Sequence, residues 1–208
     1  FQDNRVYRPY HLKHHRFTET EDDPDLALSA PFPITKISFF RKVLRDLTGI
    51  TGFRRYSQAL ISILKTDGDN LPDRLKRIWF KIHGFLITNI LIFLAISFFF
   101  HWSLYFLLWW LPAFTYYSLI IRIRNIAEHC VTSGSTDLDN TRTTLTNPIV
   151  RFLMAPHRVN YHLEHHLFMM CPWYNLPKAH KMMIKNGFKD KMCISNSYRS
   201  VLNKAVSA

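Results

Sequence analysis

The chain has 208 residues, a length that fits one domain or slightly more and excludes a large multidomain machine. Lys plus Arg number 27 against 15 Asp plus Glu, so the net charge is +12 and favours an anionic partner: nucleic acid, a membrane surface or an acidic protein. Cys130, Cys171 and Cys193 are too few and too scattered for a disulfide scaffold or a CxxC metal knuckle, and suit a reducing, cytosol-facing compartment.

In chain order, residues 1–16 read as a helix. Glu19, Glu21, Asp22, Asp23 and Asp25 around Pro24 read as a solvated acidic loop and N-cap, with the wrong spacing and no glycine for a calcium loop. Residues 34–64 read as one or two amphipathic helices. Ile37, Phe40, Val43, Leu44 and Leu47 recur at helical spacing beside Lys36, Arg41, Lys42 and Arg45, and Gly49 and Gly52 break the run. Such a basic amphipathic helix suits a membrane interface, or equally the solvated face of a packed helix. Asp67-Gly68-Asp69-Asn70 is a loop leading into Pro72.

From Gly84 to Ile121 there is no Asp, Glu, Lys or Arg. As one helix this run would be about 57 Å long, nearly twice the ~30 Å of a bilayer's hydrocarbon. A transmembrane hairpin is the economical solution, with helices over about 79–100 and 103–121, a turn at His101-Trp102 and a kink at Pro112. Arg74, Lys76, Arg77 and Lys81 precede the hairpin, Arg122 and Arg124 follow it, and the turn has no Lys or Arg. Basic outer flanks place both polar segments in the cytoplasm. Ser133 to Asn147 reads as a polar loop, and the tail after Lys181 is basic with no chemistry attached. The fold class expected is all-α: an integral membrane helical hairpin with a cytosolic helical cap, in one domain spanning residues 1–208.

The chemistry lies in the histidines. HLKHH (11–15) and HLEHH (162–166) are both HxxHH, a spacing that puts three imidazoles on one helix face. Imidazole is the commonest metal ligand and suits iron, copper and zinc. Asn125 and His129 share a face one turn apart, and the hairpin returns His129 to the side of both motifs. Glu128, Glu164 and His157 are candidates for orienting imidazole N–H groups. His180 reads as a helix cap or solvent-facing residue, and His83 and His101 as interface or turn residues. A zinc hydrolase would want a motif such as HExxH, which does not occur. A nucleic-acid binder leaves the apolar run unexplained, and a purely structural membrane protein leaves the clustered imidazoles unexplained.

YRPYHLKHHRFT (7–18), RNIAEH (124–129) and NYHLEHHLF (160–168), with the Pro172 and Pro177 stretch behind it, resemble segments of the membrane-bound fatty acid desaturase family. That family belongs to the histidine-rich di-iron oxygenases, and the resemblance covers nearly the whole chain. It implies two iron ions held by His11, His14, His15, His129, His162, His165 and His166, with Asn125 holding a metal-bound water. The implied reaction removes two hydrogens from a membrane lipid's fatty acyl chain with O2. Hydroxylation of a lipid, or ketolation of a carotenoid ring, starts from the same C–H abstraction and stays an alternative. The chain has no GxGxxG or haem pattern, so electrons are expected from a separate, acidic donor, a ferredoxin or cytochrome b-type protein. A nucleic-acid partner is not expected. The family's first box, HxxxH or HxxxxH, is absent upstream, and the chain opens abruptly on Phe1. The expectation is a fragment that lacks this box and an earlier hairpin, and that is inactive alone.

Overall fold

The computed structural model describes residues 4–65, 70–132 and 136–206. Its helices in chain order are α1 (Asn4–Phe17), α2 (Leu26–Ser29), α3 (Lys36–Leu47), α4 (Ile50–Leu64), α5 (Leu71–Phe99) and α6 (Ser103–His129). After them come α7 (Pro148–Met154), α8 (His162–Leu167), α9 (Leu176–Lys185) and α10 (Tyr198–Ala205). The fold is all-α apart from a parallel pair of two-residue strands, β1 (Thr143–Thr144) and β2 (Ile194–Ser195). The expected loops at Asp67-Gly68-Asp69 and at Ser133, Gly134 and Ser135 lie outside the described residues. The chain divides into two compact units.

The first unit holds Phe1–Leu12 and Arg41–Leu119. Its α5 starts earlier than the apolar run does, because the Asn70 side chain accepts the Asp73 N–H at 3.0 Å and Pro72 occupies the first turn. α5 and α6 are both long and apolar enough to cross a bilayer. Only 6% of the most apolar window of α5 is buried, which leaves most of its Leu and Phe side chains exposed among the described residues. One polar group interrupts this surface. Asn89 Oδ1 accepts from Tyr105 Oη at 2.8 Å and Trp109 Nε1 at 3.1 Å, and its Nδ2 donates to the Phe85 carbonyl at 2.8 Å. The amide is thereby satisfied and ties α5 to α6, as apolar surroundings demand. Pro112 does perturb α6, but as a wide π-helical turn over Phe106–Trp110 followed by a break at Thr115 (φ −102°, ψ −86°).

The second unit holds Lys13–Phe40 and Ile120–Ala208. The end of α6 packs Ile126 and Ala127, with Cys130 just beyond, against Tyr198, Val201 and Ala205 of α10. A second cluster, Leu163, Met183 and Met192, joins α8 to α9. The C-terminus of α6 carries carbonyls that no helical N–H can reach. Arg142, buried, fills that role: its guanidinium donates to the carbonyls of Cys130 (2.9 Å), Val131 (2.8 Å) and Ala127 (3.2 Å). Its backbone N–H donates to the Glu128 carbonyl at 2.9 Å, and its charge suits the negative end of the helix dipole. Over the described residues 136–147, the expected polar loop is therefore a structural part of this unit, with Thr141, Arg142, Thr143 and Thr144 all buried.

Candidate metal centre

Three separate segments supply one imidazole group. His14 comes from the end of α1, His129 from the last residue of α6, and His162 and His166 from successive turns of α8. One ring nitrogen from each lies within 4.8 Å of the others. His162 Nε2 is 2.8 Å from His129 Nε2 and 3.0 Å from His166 Nε2. These spacings are close to the ~3 Å between neighbouring ligands of one metal ion with bonds of about 2.0–2.1 Å. Beside this group, His15 Nε2 lies 3.0 Å from His165 Nε2, and the His15 ring stacks on that of His166 at 4.1 Å. His11 belongs to the first unit, one helical turn ahead of His15 on α1, where its ring stacks on Tyr7 at 5.1 Å.

The rings are oriented from behind. His14 Nδ1 donates to Asp23 Oδ1 at 2.8 Å. The Thr18 hydroxyl donates its one proton to the His14 carbonyl at 2.8 Å, so it accepts from His166 Nδ1 at 3.1 Å. Both rings therefore carry their proton on Nδ1 and present a bare Nε2, the tautomer a metal needs. His162 Nδ1 is buried without a hydrogen bond among the described residues, 4.0 Å from Glu128 Oε2. Burial is the largest influence on His162 and His166, and with the neighbouring imidazoles it pushes both well below the usual histidine range. They are neutral, as ligands must be. Glu19 stands 3.8 Å from His129 Nδ1, and its carboxyl is pushed up mainly by burial. Clustered imidazoles, with His14 and His166 oriented through Nδ1 and no thiolate in the group, fit a transition metal such as iron. The described residues can hold one or two ions.

Several expectations need correction. The acidic 19–25 segment is not simply a solvated loop: Asp23 is buried, and its carboxylate also accepts the N–H groups of Glu19 and Asp25, each at 2.8 Å. His180 neither caps a helix nor faces solvent. It is buried on α9 with Nδ1 donating to Glu164 Oε1 at 2.5 Å. Glu164 does orient an imidazole, but that of His180, while its other oxygen accepts from the Thr143 hydroxyl. Its place in HLEHH explains this, since the residue between the histidine positions points to the opposite face of α8. Glu128 is held by Arg124, whose Nε and Nη2 donate to Oε1 at 3.1 and 3.0 Å. His157 is exposed and edge-on to Trp173 at 5.3 Å, and among the described residues it makes no ring contact or hydrogen bond with an imidazole. Asn125 is half-buried, one turn before His129. His83 lies inside α5, where it accepts from Arg5 Nη2 at 2.8 Å and donates from Nδ1 to the Trp79 carbonyl at 2.9 Å. His101 sits in the hairpin turn, its Nδ1 2.8 Å from the Ser103 hydroxyl.

Sequence reasoning missed Asp23, Thr18 and Arg142. Only Asp23 left a trace, as one carboxylate of a dense acidic segment close behind HLKHH.

No curated protein and no solved structure matches the chain. The family model "Fatty acid desaturase" matches residues 2–191, a stretch that includes both HxxHH motifs, His129 and the whole imidazole group. On that match the chain belongs to the fatty acid desaturase family, histidine-ligated di-iron oxygenases that act on fatty acyl chains.

Proposed function

We propose that the protein is an O2-dependent desaturase that removes two hydrogens from a fatty acyl chain. The observation that carries the reading is the convergence of His14, His129, His162 and His166, from three segments, within 4.8 Å. These four are assigned to one iron. His15 and His165 are assigned to a second, with His11 added on its helical spacing from His15. Asn125, one turn before His129 on α6, is assigned to hold a metal-bound water. Bound iron supplies O2 reduction and hydrogen abstraction from an unactivated C–H bond.

The chain's own residues do the rest. Asp23 holds the Nδ1 proton of His14, and Thr18 fixes His166 the same way. Burial keeps the His162 and His166 rings neutral, and the Thr18 hydroxyl leaves His166 bare at Nε2. α5 and α6 are read as a membrane hairpin, with the histidines on the cytoplasmic side because Arg74, Lys76, Arg77 and Lys81 and then Arg122 and Arg124 flank it. An acyl substrate enters from the bilayer beside it, where its methylenes are already held in apolar surroundings.

The test is metal analysis of the purified protein beside lipid profiling of the host. The His14→Ala and His162→Ala variants should insert into membranes, lose bound iron and form no product. Wild-type iron content in either variant would remove the assignment. One zinc per chain in place of iron would remove the oxygenase reading.

A further inference from the structure

After His165 the chain has one acidic residue, Asp190, set among Lys178, Lys181, Lys185, Lys189 and Lys191. Lys178, Lys181 and Lys185 recur at i, i+3 and i+7, so they form a stripe along one side of α9. Lys189 and Lys191 continue it past Gly187, whose φ of +80° turns the chain at the helix end. All five are exposed, and among the described residues none has a carboxylate partner.

The opposite side of α9 is fastened to the candidate metal centre. Leu176, His180 and Met183 are buried, and His180 Nδ1 donates to Glu164 Oε1. Glu164 adjoins His165 in the chain, on the helix that also carries His162 and His166. The lysine stripe is therefore one helix away from the imidazoles, a thickness of about 10 Å.

The reaction needs such an entrance. Converting CH2–CH2 to CH=CH releases two electrons and two protons, whereas reducing O2 to two water molecules consumes four of each. Two further electrons must arrive from a reductant for every double bond, with two protons from solvent. Resting on the desaturase reading above, we infer that the lysine stripe of α9 is the docking surface for an acidic electron-carrier protein, which delivers those electrons across α9.

The composition of the stripe favours a protein over a lipid surface. On α3 the centre of the exposed face is apolar, with Ile37 and Phe40 66% and 65% exposed, and Arg41 and Arg45 lie along its edge. That is how a helix sits in a bilayer interface. On α9 the centre is lysine, while Met182 and Ile184 stand at the edges. A row of hydrated point charges without an apolar ridge steers a soluble acidic partner into a short-lived complex.

The test places the full-length protein in neutral-lipid nanodiscs and titrates it with two acidic probes, a plant-type [2Fe–2S] ferredoxin and a soluble b-type cytochrome. At low salt at least one should bind the wild type, with affinity falling as salt rises. The triple variant K178E/K181E/K185E should bind that probe at least about tenfold more weakly. K178Q/K181Q/K185Q, which removes charge without adding repulsion, should lie between the two. Iron content, and product formed with a small chemical reductant, should match wild type in both variants.

Three results would overturn the assignment: no binding of either probe to the wild type, unchanged binding in the variants, or unchanged donor binding with lost affinity for anionic vesicles. The last would give the stripe to lipid headgroups. Donor binding that weakens as stated, with no acyl product under any reductant, would leave the docking surface standing and sink the desaturase reading.

Discussion

Asp23 Oδ1 accepts the Nδ1 proton of His14 at 2.8 Å, and both partners are buried. The carboxylate also takes N–H groups from Glu19 and Asp25, so three donors hold it in place. An acid held this way fixes the ring and raises the basicity of the opposite nitrogen. The variant Asp23→Asn keeps the size but turns an amide NH2 toward one of those donors. It should lower metal affinity about 10–100-fold and cost about 1–3 kcal/mol of stability. Metal titration and a thermal melt on the same preparation check both; an unchanged metal affinity would show that His14 needs no carboxylate.

Arg142 is the second group that holds the centre from a distance. It caps the helix end on which His129 sits, and removing a buried donor strands several carbonyls at once. Arg142→Met, similar in length but without donors, should destabilise the protein by about 3–5 kcal/mol, as expected for buried charged partners left unpaired. Iron content should fall with it, because α6 then frays at His129. Arg142→Lys should recover only part, since one ammonium cannot reach carbonyls spread over a full turn. A melting temperature within about 1 °C of wild type for Arg142→Met would count against the cap.

These two residues also show what could be read from the chain beforehand. HxxHH needs only helix periodicity to place its imidazoles together, and the uncharged run from Gly84 to Ile121 needs only bilayer thickness. Both are local rules. Asp23, Arg142 and the Glu164–His180 pair obey none. Their partners are chosen when distant segments pack, and a buried carboxylate looks like any other acid in a polar stretch. His180 was misread for this reason: nothing near it in sequence signals that Glu164 lies behind it. The start of α5 and the end of α6 lie outside the apolar run because caps, rather than hydropathy, set where a helix begins and stops.

Cys130 is fully buried where α6 ends, and burial pushes its thiol up to about 12. Cys171 and Cys193 are only partly buried. Alkylation of the folded protein at pH 8 should modify Cys171 and Cys193 first, with Cys130 slower by on the order of a thousandfold, following its thiolate fraction. Peptide mass spectrometry after timed quenching reads the order. The same shift gives a stability prediction. A raised folded value favours the native state below the unfolded thiol's ~8.5. Above that pH the unfolded chain ionises first, so stability should fall by up to about 1.4 kcal/mol per pH unit. Labelling of Cys130 at the rate of the other two would place the end of α6 in solvent.

Gly52 and Gly187 make a paired test of the close approach in the first unit. At Gly52 a Cβ would stand 2.3 Å from the Phe114 carbonyl oxygen and 2.5 Å from the Phe114 Cα, so α4 and α6 touch backbone to backbone. Helix propensity alone says that Ala should stabilise α4 by about 1 kcal/mol. The clash is with main-chain atoms, which cannot swing aside as a side chain end could, and overpacking of this kind costs about 1–3 kcal/mol or more. The contact should win, and Gly52→Ala should lower the melting temperature in nanodiscs. Gly187 has open space around it, with nothing within 4 Å, but a φ of +80°. Gly187→Ala should therefore cost only the backbone strain of a left-handed residue, about 1 kcal/mol. If Gly52→Ala melts at or above the wild type while Gly187→Ala melts lower, propensity has outweighed contact, and α4 does not lie against Phe114.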